Sequence, residues 1–62
     1  MKNTLKIERA KKKISQKQLA EEMEVTNQAI CNIEIGKSNP KVTFAMKLAR
    51  FFGCTVDDIF SL

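Results

Sequence analysis

Between Val25 and Glu34 the chain reads VTNQAICNIE, a stretch whose one charge is at its last position although the protein is rich in lysine. The groups in it that can do chemistry are the hydroxyl of Thr26 and the carboxamides of Asn27, Gln28 and Asn32. A carboxamide carries a hydrogen-bond donor and an acceptor side by side. These residues are too polar for a core and unusual filler for a soluble surface, which raises the question of what they bind. Ordinary solvated surface is the plain alternative.

Other chemistry is excluded more firmly. The chain has no histidine, and its two cysteines, Cys31 and Cys54, stand far apart with no C-x-x-C spacing. Zinc-finger and disulfide-framework readings therefore fail together, and a reducing cytoplasm fits best. Cys31 lies in the polar stretch, but neither a second ligand nor a partner that would lower its pKa is evident, so it reads as a small space filler. No nucleophile has a plausible base nearby and no glycine loop could cradle a phosphate, so an enzyme is not expected, nor a cofactor or metal. With 62 residues the chain is expected to be one domain, 1–62, near the size at which a partner subunit often helps. The formal charge of +4 leans toward an anionic partner. No apolar run approaches a membrane span, the start MKNTLKIERAKKK has no signal-peptide core, and no strongly basic amphipathic helix with large apolar anchors suggests membrane attachment.

The elements that must position the polar stretch read as helices, with no alternating strand pattern. The first is expected from about Thr4 to Lys12, with Leu5, Ala10 and the following Ile14 inward. The run Lys11-Lys12-Lys13 suits the negative end of that helix and reads as a solubilising terminus. Ser15-Gln16-Lys17-Gln18 is a capping box, followed by Leu19, Ala20 and Met23 at helical spacing. Thr26 can cap a third helix through about Ile35, with Ala29, Ile30 and Ile33 inward and Gly36 as its stop. A loop, Lys37-Ser38-Asn39-Pro40, leads to a fourth helix from about Val42 to Phe52, ended by Gly53. Its inward residues are Phe44, Ala45, Leu48, Ala49 and Phe52. Thr55-Val56-Asp57-Asp58 caps a short fifth helix that buries Val56, Ile59 and Phe60.

Only Glu24 and Val25 separate Met23 from Thr26, so the second and third helices must meet across a sharp turn, with Ala20 small where they approach. In "SQKQLAEEMEVTNQAICNIEIGKSNP" and "AMKLARFFGCTVDDIF" the chain resembles the XRE-type, lambda-repressor-like family of transcriptional regulators. The likeness spans nearly the whole sequence and is carried by Gln16, Leu19, Ala20, Val25, Ile30, Ile33, Glu34, Gly36 and Pro40. It implies an all-α, compact five-helix domain with a helix-turn-helix formed by helices 2 and 3, whose third helix (about 27–35) lies in the DNA major groove while the second crosses the backbone.

On such a helix, with Ile30 and Ile33 inward, Asn27, Gln28, Cys31 and Asn32 fall on the outer side. Asn27, Gln28 and Asn32, with Thr26 after them, are then the expected base readers, because an amide can match the N6 and N7 edge of adenine as lysine cannot. In the family the glutamine opening the second helix bonds a phosphate, which maps to Gln16. Lys17, Lys37, Lys41 and Asn39 flank that surface as expected phosphate contacts. The resemblance also implies that Arg9 and Glu34 form a structural salt bridge between the first helix and the end of the third.

Some positions depart from the family pattern. Glu24 stands where glycine is most common, Ile35 replaces a frequent asparagine, and Lys41 takes a capping place where serine is usual. Asn27 replaces a frequent arginine, which argues against assuming a guanine contact there.

The sequence thus leads one to expect a cytoplasmic bacterial or phage regulator, a repressor acting as a homodimer on double-stranded DNA with a palindromic operator. Phe51, Phe60 and Leu62 are the expected dimer interface, through the fourth and fifth helices, the alternative being that they close the monomer core; no small-molecule ligand is evident. The alternative is a protein-interaction or antitoxin-type adaptor on the same fold, for which apolar or aromatic anchors would be expected on the reading face.

Overall fold

The computed structural model describes residues 2–61, with the side chains of 3–60. Five helices follow one another: α1 (Leu5–Lys12), α2 (Gln16–Met23), α3 (Asn27–Glu34), α4 (Val42–Phe52) and α5 (Val56–Ile59). The fold is the all-α architecture expected, and α3 stops one residue short of the expected end, with Ile35 as its C-cap. One feature was not expected: β1 (Lys2–Asn3) pairs antiparallel with β2 (Phe60–Ser61), Asn3 opposite Phe60. Two residues a side are too few to show an alternating pattern.

Hydroxyl caps start three of the helices where the sequence puts them. Ser15 accepts from the Gln18 amide while the Gln18 side chain accepts from the Ser15 amide, and Thr55 and Asp58 form the same reciprocal box. Thr26 accepts from the Ala29 amide. The other two starts differ. Lys41 makes no side-chain cap for α4, as its type dictates. At α1 the cap is displaced by one residue: the Leu5 amide donates to Asn3 Oδ1 at 3.1 Å, while the Thr4 hydroxyl donates to the Asp58 carbonyl at 3.1 Å.

Three helix ends share one stop. Lys13, Glu24 and Gly53 all have positive φ, and each is followed by a half-buried residue, Ile14, Val25 or Cys54, packed on the core. The amides at each end return to carbonyls of the last turn, as when Val25 N–H donates to Ala20 and Glu24 N–H to Glu21. This is the left-handed helix end that glycine normally occupies. Only Gly53 advertises it in the sequence.

The core gathers Leu5 from α1; Leu19, Ala20 and Met23 from α2; Ile30 and Ile33 from α3; Ala45, Leu48 and Ala49 from α4; and Ile59 and Phe60 at the end of the chain. Ile14, Phe44, Phe52 and Val56 pack against it, half-buried. Ala10, expected inward, is exposed. The short α1 turns Leu5 and Arg9 toward the body, and the left-handed Lys13 brings Ile14 back to the core without Ala10.

Candidate nucleic-acid interface

The left-handed Glu24 (φ 60°) and the extended Thr26 set the angle between α2 and α3, and Ile30 and Ile33 hold α3 down by burial. Its outer side is left to the polar residues. Thr26, Asn27 and Gln28 are exposed, while Cys31 and Asn32 are half-buried. Gln28 Nε2 donates to Asn32 Oδ1 at 2.9 Å, so two of the expected readers are bonded to each other.

The far end of α3 is anchored on three sides. Asn32 O accepts the amides of Lys37 at 2.9 Å and Ser38 at 3.2 Å, which folds the loop back beneath the helix. Ile33 O accepts the Gly36 amide and, from the other end of the chain, Asn3 Nδ2 at 2.8 Å. Glu34 takes Arg9 Nε on one oxygen at 2.7 Å, and Arg9 Nη2 at 3.2 Å and Gln16 Nε2 at 2.9 Å on the other. The guanidinium closes the group by donating to Ile14 O at 3.0 Å. This is the salt bridge expected between the first helix and the end of the third.

Both ionic side chains are nearly covered, 14% and 4% exposed, and each is matched by hydrogen bonds, the condition for a buried pair to hold together. Burial alone would raise the Glu34 carboxyl, but hydrogen bonds from Arg9 and Gln16 and the charges of Arg9 and Lys6 outweigh it and hold the pKa below its ordinary value.

The expected phosphate contacts separate into two kinds. Gln16 is half-buried and already gives one N–H to Glu34, which leaves its second N–H and its oxygen uncommitted by that bond. Lys17 follows it, exposed, on the first turn of α2. Lys37, Asn39 and Lys41 are exposed along the loop after α3. Lys37 is tied closest to α3 through its own amide.

Of the residues expected to meet a second subunit, Phe60 is corrected in favour of the other expectation for it: it is 7% exposed and belongs to the chain's own core, where β2 pairs with β1. Phe51 is half-buried, edge-on to Phe52 with ring centroids 5.1 Å apart, and the Lys12 ammonium stands 5.3 Å over its ring. Leu62 lies outside the described residues. The exposed large apolar side chains among the described residues lie elsewhere: Val42 (76%) and Met46 (50%) on α4, Ile7 (56%) on α1 and Ile35 (67%) at the end of α3. Val42 also borders a shallow apolar hollow with Pro40, Ala45, Val56 and Phe60.

Sequence reasoning missed two positioning side chains. Asn3 caps α1 and bonds the end of α3, and Lys47 Nζ reaches Met23 O at the end of α2 at 3.4 Å. Both act across long sequence separations, which local spacing does not encode. No group of side chains among the described residues could hold a metal ion, and no described helix is long and apolar enough to cross a membrane.

A helix-turn-helix family model matches residues 5–59. The chain is 45% identical over 60 residues to an uncharacterized HTH-type transcriptional regulator of Methanocaldococcus jannaschii, MJ0272, across 97% of this chain and 91% of that one. It is 38% identical over 60 residues to an uncharacterized HTH-type transcriptional regulator of Archaeoglobus fulgidus, covering 97% and 84%. A third relative, the uncharacterized HTH-type transcriptional regulator YgzD of Bacillus subtilis, is 37% identical over 62 residues, covering 100% and 94%. These relatives are archaeal as well as bacterial.

Proposed function

Because the chain belongs to the helix-turn-helix family, matched over residues 5–59, we propose that it is a sequence-specific regulator of transcription that binds double-stranded DNA with α3 in the major groove. The observation that carries this reading is the exposed, uncharged face of Thr26, Asn27 and Gln28 on a helix whose opposite side is buried. Asn27, Gln28 and Asn32 read base edges, with Thr26 as a lesser contact. Gln16, Lys17, Lys37, Asn39 and Lys41 bind phosphates and set register and affinity without choosing sequence.

One reading helix covers only a few base pairs, so the protein works as a homodimer on a palindromic operator with half-sites about 34–36 Å apart. The face of α4 that carries Val42 and Met46, beside the hollow at Pro40 and Val56, is the surface we assign to the partner copy. Occupying promoter DNA would make it a repressor. The same exposed apolar residues favour one competing reading, an adaptor that binds a different protein.

The division of labour is tested by titrating DNA binding against salt. Lys37→Ala should weaken binding to all sequences alike and reduce the slope of log K on log salt by about one. Gln28→Ala should relax base preference at one position. Uniform weakening by both substitutions would refute the assignment of readers.

A further inference from the structure

The amide face of α3 is not a row of independent groups. Gln28 Nε2 donates to Asn32 Oδ1 at 2.9 Å, one helical turn on. The two ends of this bond are held very differently. Gln28 is exposed, whereas Asn32 is half-buried and its backbone carbonyl is gripped by the Lys37 and Ser38 amides at 2.9 and 3.2 Å. Asn32, shorter, less exposed and on a main chain held by the loop, is the post, and Gln28 the longer arm leaning on it. A surface amide pair of this spacing adds little to helix stability. What it supplies is order, since a long side chain held in one rotamer before binding need not be ordered on binding.

The bond also divides the hydrogen-bonding groups. Gln28 keeps its oxygen and one N–H, one acceptor and one donor. Asn32, with its oxygen turned toward Gln28, directs its two N–H groups the other way.

Resting on the DNA-reading role of α3, we propose that Asn32 is the positioning residue for Gln28 and that the two read DNA as one unit. Gln28 takes adenine through N6 and N7, while Asn32 donates to an acceptor edge, guanine O6 and N7 or thymine O4. The residues are four apart, about 6 Å along the helix axis, so the two bases lie one or two steps from each other. Asn32 is thereby a reader of acceptors and not a second adenine reader.

Selection of bound sequences from a random duplex library, run on the full chain and on three variants, tests this. Thermal melting alongside is expected to show every variant folded, since neither side chain belongs to the buried core. Asn32→Ala should relax both positions, with the adenine preference falling about fivefold or more. Asn32→Asp keeps an acceptor for Gln28, so adenine should be retained while the other position moves to cytosine, whose N4 donates. Gln28→Ala should relax the adenine position alone. The proposal is overturned if Asn32→Ala loses only its own position and leaves adenine preference intact, a result the DNA-reading role would survive. It is also overturned if Gln28→Ala changes no position; only the natural chain enriching no sequence at all would overturn the DNA-reading role with it.

Discussion

Glu24 and Lys13 occupy left-handed helix ends without being glycine, at φ 60° and 56°. An L-residue with a Cβ pays for that conformation, and Glu24 also places its carboxylate at the negative end of α2. Glu24→Gly should therefore stabilise the fold, by up to about 1 kcal/mol after the extra chain entropy of glycine is subtracted, and Lys13→Gly by less, because it also removes a positive charge from the negative end of α1. Denaturant unfolding checks this. Lys41→Ser should likewise stabilise the fold by about 0.5–1 kcal/mol through a new cap on α4, while weakening DNA binding if Lys41 contacts phosphate.

Residue types announced much of this local structure. Ser15, Thr26 and Thr55 cap as their spacing dictates because a cap is a contact over three residues. The end of α1 at Lys12 was legible, but the left-handed backbone at Lys13 was not, since nothing in lysine signals it; tertiary burial of Ile14 imposes it.

At the scale of elements, α3 is held by what converges on its last turn. Arg9, Gln16 and Asn3 come from three different segments to Glu34 and the Ile33 carbonyl. Removing the carboxylate leaves the nearly covered guanidinium unpaired, so Glu34→Ala should cost about 3 kcal/mol, a large part of what a domain of this size commands. The pair should also make the fold acid-sensitive. Glu34 titrates in the folded chain below its ordinary value of 4.5, so its stabilisation is complete above that pH and is lost as the pH falls through the folded value. Urea midpoints measured across that range should drop for the natural sequence and drop less for Glu34→Gln.

The Arg9–Glu34 pair and the outward amides were legible through the resemblance and the helical period. The Asn3 link was not, because a contact between residues 3 and 33 leaves no mark on local spacing. The mutual bond of Gln28 and Asn32 lies at ordinary helical spacing, yet choosing it over solvent depends on side-chain geometry that a sequence does not state.

For the whole molecule, the order of five helices and the position of the helix-turn-helix followed from caps and apolar spacing, whereas the surface between copies did not. In sequence Phe60 is open to two readings, core of the fifth helix or surface for a second copy, and its ring lies inside, where Lys2–Asn3 pairs with Phe60–Ser61. Val42 and Met46, which the helical pattern left unremarked, stand exposed instead. If they face the partner copy, Met46→Glu should shift the protein toward monomer by sedimentation and weaken operator binding at a given concentration, with the melting temperature of dilute protein little changed. A variant that remains dimeric would move the interface elsewhere.

The central claim is that α3 reads DNA sequence from a two-fold dimer. Selection of duplexes bound by the natural protein, followed by titration of the winner against salt and protein concentration, tests it most directly. The expected result is a palindrome with half-sites about one helical turn apart and adenine among the chosen bases. Enrichment of no sequence, with only weak salt-sensitive binding, would contradict it and turn attention to a protein partner for the same face.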